Sequence, residues 1–276
     1  MKYLVLLLCL AFPAVLAQRQ EPDQQAEVRR QRARQLLAQN FEAEQQRAFR
    51  GQLLVESEGQ QSTRDRFDVP PPERLELIQR NFLVEVVDQT EILGRAVTIL
   101  RLTPLDPSSP SPTVRVWIED ETGNTLAVEY TNRAGEVQLR ARFQNLEGAP
   151  QERSAEERRR PLDEQRRQRL QRLLGRLTIP PGFVLADASL VPVGDSLALT
   201  FTLSDGVGVI NVGILRVRPL ALPSEDLEGQ EQHRRGRGLE VVVRGNVEPG
   251  ALTAILDSFP FGNITFEDVL RALGDR

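Results

Sequence analysis

From Phe49 to Glu147 apolar and polar residues alternate with a period of two, and no other feature of the chain constrains its fold as strongly. Leu53 and Val55 alternate with Gln52 and Glu56, and Phe82, Val84 and Val86 fall in phase. Val114, Val116 and Ile118 alternate with Arg115, Trp117 and Glu119, and Leu126 and Val128 with Ala127 and Glu129. Val137, Leu139, Ala141 and Phe143 alternate with Gln138, Arg140 and Arg142. Successive strand residues point to opposite sides of a sheet, so the pattern predicts antiparallel strands with one buried and one wetter face. Val69-Pro70-Pro71-Pro72 and the Ser/Pro segment from Pro104 to Pro112 interrupt it, because proline cannot donate a ladder hydrogen bond. Glu121-Thr122-Gly123-Asn124 and Asn132-Arg133-Ala134-Gly135 have the length and glycines of hairpin connections. About seven strands in meander order are expected, with one amphipathic helix before them.

That helix is expected over about residues 27–47, where Val28, Ala33, Leu36, Leu37, Phe41 and Ala48 recur at helical spacing. The run Arg29-Arg30-Gln31-Arg32-Ala33-Arg34 reads as its solvated face. Ahead of it, Lys2, the apolar stretch from Leu4 to Phe12 and Val15-Leu16-Ala17 have the layout of a secretory signal peptide over residues 1–17. The apolar stretch is shorter than the about 20 residues that span a bilayer. Leu8 precedes Cys9 where a lipobox has a small residue, which argues against acylation. The expected mature protein is therefore soluble and periplasmic or otherwise extracytoplasmic.

Beyond residue 17 there is no cysteine, so neither disulfides nor thiolate chemistry is available. Lys2 is the one lysine, and the remaining 34 basic residues are arginines against 39 Asp and Glu, a balance unlike that of a general nucleic-acid binder. A single histidine, His233, makes a Ser-His-Asp triad improbable and a His-rich zinc site impossible. Neither a P-loop nor a dinucleotide-binding glycine pattern is present. No catalytic residue, metal ligand or cofactor-binding residue is assigned, and a non-enzymatic binding protein is expected.

Residues 148–177 read as a charged linker helix with Leu170, Leu173, Leu174 and Leu177 along one side and a solvated basic face. A second, smaller α+β unit is expected over residues 178–276. Its strands are predicted at 197–203, 207–217 and 239–245, with Asp205-Gly206 as a hairpin turn and Pro219 to Arg237 as a loop. Pro249 opens a helix carrying Leu252, Ile255, Leu256 and Phe259 on one face. Thr265-Phe266-Glu267-Asp268 has the form of a helix start.

The segment Leu93-Gly94-Arg95-Ala96-Val97-Thr98-Ile99-Leu100-Arg101-Leu102-Thr103-Pro104, followed by Val114 to Gly123, resembles the MucB/RseB and LolA group. Pro181-Gly182-Phe183, Ser204-Asp205-Gly206 and Val241 to Pro249 resemble the RseB C-terminal domain, which LolA lacks. Asn124-Thr125 departs from the Leu-Pro usual in the group. The resemblance implies an α+β fold in which residues 18–147 form a LolA-like antiparallel half-barrel sheet covered by helices. Its apolar face would be lined by Leu53, Val55, Val84, Val86, Val97, Ile99, Val116, Ile118, Val128, Leu139 and Phe143, as a ligand cavity or as a dry core. It further implies an envelope-stress regulator that binds the extracytoplasmic domain of a transmembrane anti-sigma factor and senses lipid or lipoprotein. The alternative it allows is a periplasmic lipoprotein or lipid carrier resembling LolA. Neither reading involves nucleic acid, and membrane contact would be peripheral at most.

Overall fold

The computed structural model describes residues 12–57, 59–154, 162–175, 177–193, 196–216, 231–262 and 264–273. Of the expected leader, residues 1–11 with Cys9 lie outside these. Helix α1 runs from Phe12 to Gln46, so it begins well before the predicted start at 27. Ala33 and Leu37 are buried against the sheet, whereas Val28 is 66% exposed and makes no part of the core. Arg29, Arg30, Arg32 and Arg34 are exposed, as a solvated face requires.

The chain then forms β1 (Arg47–Ala48), β2 (Gly51–Ser57), β3 (Gln60–Arg64), α2 (Arg74–Asn81), β4 (Phe82–Ile92), β5 (Arg95–Pro104), β6 (Thr113–Glu119), β7 (Thr125–Thr131), β8 (Val137–Leu146) and β9 (Gln151–Glu152). Seven of these strands make one antiparallel sheet in the order β3-β2-β8-β7-β6-β5-β4. The meander therefore covers β4 to β8 only, and the first hairpin returns to pair beside β8. The sheet is open, with β3 and β4 at its edges.

Register turns the sequence alternation into two chemically distinct faces. Val84 pairs with Leu102 and Val86 with Leu100, and these meet Val114 and Val116 on β6. Val116 pairs with Val128, Val128 with Ala141, and Ala141 with Val55. Phe143 pairs with Leu53, and its ring meets Phe49 and Phe67 edge-on at 6.5 and 5.6 Å. On the other face Glu85, Arg101, Arg115, Glu129, Arg140 and Glu56 stand in one row across six strands. Arg101 reaches Glu85 at 2.8 Å, while Glu129 is held between Arg140 at 2.6 Å and Arg115 at 3.7 Å. Helices α1 and α2 cover the apolar face.

The second unit contains α3 (Glu164–Leu173), β10 (Val184–Val193), β11 (Ser196–Ser204), β12 (Val209–Arg216), β13 (Glu231–Gly236), β14 (Leu239–Gly245), α4 (Pro249–Ser258) and α5 (Phe266–Leu273). Its five strands are antiparallel in the order β10-β11-β12-β14-β13. Phe201, Leu203, Ile210, Val212, Val241 and Val243 form its core with Leu252 and Ile255 of α4. The helix start at Thr265 is a reciprocal cap, in which Thr265 N and Oγ1 donate to Asp268 and Asp268 N donates back to Thr265 Oγ1.

Two expectations change here. Leu170, Leu174 and Leu177 are buried in the second core, so the basic helix belongs to that core on its leucine side, and it is shorter than 148–177. Part of the expected loop from Pro219 to Arg237 is strand β13, with residues 217–230 outside the described set. Its sequence Glu-Gln-His-Arg-Arg-Gly lacks an apolar alternation because β13 is an edge strand held by its pairing with β14.

The two faces of the first sheet should respond unequally to truncation. Leu100→Ala removes a fully buried side chain and is expected to cost about 2–5 kcal/mol in urea unfolding. Arg115→Ala, on the charged row, should cost at most about 1 kcal/mol. Equal losses would mean that the register places them otherwise.

Candidate functional site

Two cavities adjoin and share Asp68, Pro70, Arg74 and Tyr130 of β7 in their walls. The first lies between the helices and the apolar face of the seven-stranded sheet. It is lined by Leu37, Phe41, Leu75, Ile78, Leu102, Val116 and Val128, with Asn40, Glu44, Asp68, Arg74 and Thr125 supplying polar groups. Its volume is about 100 Å³. Ligand pockets run to roughly 300–1,000 Å³, so this space is too small for an acyl chain as it stands.

Of the residues expected to line that face, Val116 and Val128 border this cavity. Leu53, Val84, Val97, Ile118 and Phe143 are buried in the same core cluster, and Val55, Val86 and Leu139 pack against it half-buried. Ile99 pairs with Trp117, between Leu100 and Thr98, and lies outside that cluster. The residue of β5 that opposes Val116 is Leu100, one position out of phase with Ile99. Strand β5 carries apolar residues in both phases, Val97 and Ile99 in one and Leu100 and Leu102 in the other, so a period-two reading does not tell which of them opposes Val116.

The wall of the small cavity contains a buried ion pair. Glu44 on α1 accepts from Thr125 N at 2.7 Å and from Arg153 at 3.4 Å, with both side chains almost wholly inaccessible. Arg153 also donates to Phe67 O at 2.9 Å, and Asn124 donates to Arg47 O at 3.0 Å. Burial raises the Glu44 carboxyl above its ordinary value of 4.5, and the Thr125 amide and Arg153 offset this only in part. Sequence reading missed the pair because its partners are 109 residues apart.

The second cavity is a groove of about 770 Å³ between the two sheets. One wall is the segment Asp68-Val69-Pro70-Pro71-Pro72-Glu73-Arg74 with Leu77 of α2. The other is the polar face of the second sheet, with Asp187, Thr202, Ser204 and Asn211. Thr202 Oγ1 donates to Asn211 Oδ1 at 2.8 Å, so this wall presents an ordered pair of hydrogen-bonding side chains. The three prolines have no N–H to donate, and Pro70 O accepts from Gln45 Nε2 while Pro71 O accepts from Arg74 N. Arg167 holds Glu73 at 3.0 Å from the second unit. Its volume and mixed lining suit an extended peptide or loop better than a lipid chain. Proline spacing signalled a break between strands but not a groove wall, since the opposite wall lies more than a hundred residues away.

Among the described residues, no group of three or more His, Cys, Asp or Glu side chains is placed to hold a metal ion.

No family model matches the chain, and no curated protein sequence does. Solved structures of MucB share its fold. A crystal structure of MucB superposes with a TM-score of 0.60 at 17% identity, covering 82% of this chain and 96% of that one. MucB in complex with MucA(peri) gives 0.55 at 18% identity over 82% and 97%. The Pseudomonas aeruginosa MucA/MucB complex gives 0.55 at 18% over 81% and 96%.

The buried ion pair makes a signed prediction. The folded state keeps the Glu44 proton to higher pH than the unfolded chain does, so this group's contribution is complete below 4.5 and declines as pH rises through the folded value. Glu44→Gln cannot titrate, so its stability relative to the parent should rise as pH is raised from 4.5 to neutrality in parallel urea melts. A relative stability that falls over the same interval would mean that Arg153 outweighs burial.

Proposed function

With the fold of MucB as the premise, we propose that this chain is a MucB/RseB-type regulator of envelope stress, working outside the cytoplasmic membrane without catalysis. Its task is to grip the extracytoplasmic segment of a transmembrane anti-sigma factor and shield it from proteolysis. Residues 1–17 are the export signal, 18–147 the half-barrel unit, and 178–276 the unit that completes the partner surface. No helix among the described residues is long and apolar enough to cross a membrane.

The observation that carries this reading is the difference between the two cavities. The groove between the sheets is about 770 Å³ and lined with hydrogen-bonding groups, while the space under the helices is about 100 Å³. The first suits a polypeptide, and the second cannot take a lipid without α1 or α2 moving. Two of the solved MucB structures are complexes with MucA, which supports a protein partner for the shared fold. A lipid or lipoprotein signal would act by favouring a state with these helices displaced. Such a ligand must bind that state more tightly than the closed one, because equal affinity shifts nothing.

The test is affinity capture with tagged protein from gently solubilised envelopes, read by mass spectrometry, alongside Asn211→Arg. The arginine would project into the groove and leave the first sheet untouched. The parent is expected to recover a single-span membrane protein with a small cytoplasmic domain, and the variant to lose at least about tenfold of it, about 1.4 kcal/mol. Recovery of lipoproteins or lipid in place of such a protein, undiminished by Asn211→Arg, would favour the carrier resembling LolA.

A further inference from the structure

The two sheets are joined at a point where one unit enters the other. The turn Ser204-Asp205-Gly206-Val207-Gly208, between β11 and β12, leaves the second sheet and seats Val207 in the core of the first, where it is 2% exposed. Arg74 Nε donates to Gly206 O at 2.9 Å, and Asn81 Nδ2 donates to Asp205 O at 3.0 Å and Gly182 O at 3.2 Å. From the loop after β5, Ser111 Oγ donates to Asp205 Oδ2 at 2.6 Å, and Pro110 O accepts from Glu248 N at 3.0 Å. Asp205 Oδ1 accepts from Val207 N and Gly208 N, which shapes the turn from within. The backbone approaches so closely that a Cβ at Gly206 would lie 2.7 Å from Ile78 N, and one at Gly208 would overlap Ser111 Oγ and lie 2.6 Å from Phe183 Cζ.

Apart from Val207 the contacts at the turn are polar, Glu73 and Arg167 add an ion pair between the units, and each sheet has a separate core. Units joined in this way are expected to move relative to each other unless the interface is large and apolar. Ser204, Gly206 and Val207 of the turn, with Arg74 and Leu77 opposite, also line the groove. We infer that the Ser204–Gly208 turn is a releasable latch that fixes the angle between the two sheets and thereby the width of the groove, with the Asp205 carboxyl as its proton-sensitive element.

The direction of that sensitivity follows from the surroundings of Asp205. Burial raises its carboxyl above the ordinary 3.8, against hydrogen bonds from Ser111, Val207 and Gly208 that lower it. The nearby charged groups are Arg74 on α2, which donates to Gly206 O, Arg133, whose guanidinium donates to Ser109 O, and Glu248, which accepts from Arg133 N. Glu73, Asp68 and Asp187 face the groove. Among the described residues none of these forms an ion pair with Asp205. Release exposes the carboxyl to water, so the closed latch binds the proton more tightly. Acid therefore favours closure over the interval above 3.8, and this preference is lost as pH rises through the folded value.

The latch is independent of what occupies the groove, so it is tested without a partner. Spin labels at Val137→Cys and Val191→Cys, both on exposed positions of different sheets, report the distance between the units in the full chain carrying Cys9→Ser. The parent should give a distribution that narrows as pH falls from neutrality toward 3.8, and Asp205→Asn one that does not respond. Gly208→Ala should broaden or shift the distribution at every pH while circular dichroism keeps both sheets, and Ser111→Ala should do so more mildly. If Gly208→Ala fails to fold, the Ser111 and Asp205 variants carry the test. An unchanged distribution in every folded variant, or a pH response that survives Asp205→Asn, overturns the latch.

Discussion

Strand register in the first sheet is the constraint on which the remaining structure depends. With Val116 opposite both Leu100 and Val128, apolar side chains of β2 and β4 to β8 gather on one side, and the charged row from Glu85 to Glu56 gathers on the other. A slip of one residue would exchange these faces and put arginines under the helices. The helices α1 and α2 are placed by that apolar face, and α2 in turn receives the turn from the second unit. The groove lies between the two units, each closed over its own core, beside that turn.

Polar groups at the covered side of the sheet are arranged to be satisfied rather than reactive. Asn40 Nδ2 donates to Gly123 O at 2.8 Å, and Glu44 is enclosed by Thr125, Asn124 and Arg153. These contacts pin α1 to the β6–β7 connection at one end. A buried pair of this kind adds little net stability, because desolvation offsets the attraction. Its more evident consequence is positional, as it fixes where along the sheet the helix lies. A helix that must shift to admit a lipid would have to part with this pair.

The alternation made the antiparallel sheet legible, and local signals marked both hairpin turns, the start of α4 at Pro249 and the Thr265 cap. Each of those depends on residues a few positions apart. What escaped reading depends on distance or on strands whose apolar residues do not alternate. Strand β5 is apolar in both phases, so nothing local marks Leu100 rather than Ile99 as the residue that faces Val116. Strand β13 carries no apolar period because its partner β14 supplies the burial. The leucine spacing of 170–177 marks a packing side, but which core Leu170 and Leu174 join is set by strands far along the chain. The groove combines the proline segment with Thr202 and Asn211, and the latch combines Ser111 with Asp205, 94 residues apart. No spacing rule connects such pairs before the chain is folded.

Tyr130 borders both the small cavity under the helices and the groove between the sheets, so a photoreactive side chain there discriminates their occupants directly. Replacement of Tyr130 with benzoylphenylalanine in living cells, irradiation and mass spectrometry of the adducts is the decisive measurement. A partner seated in the groove predicts a cross-link to the extracytoplasmic segment of a membrane protein. Adducts confined to lipid or to an acylated protein would contradict that account and assign the site to cargo beneath the helices.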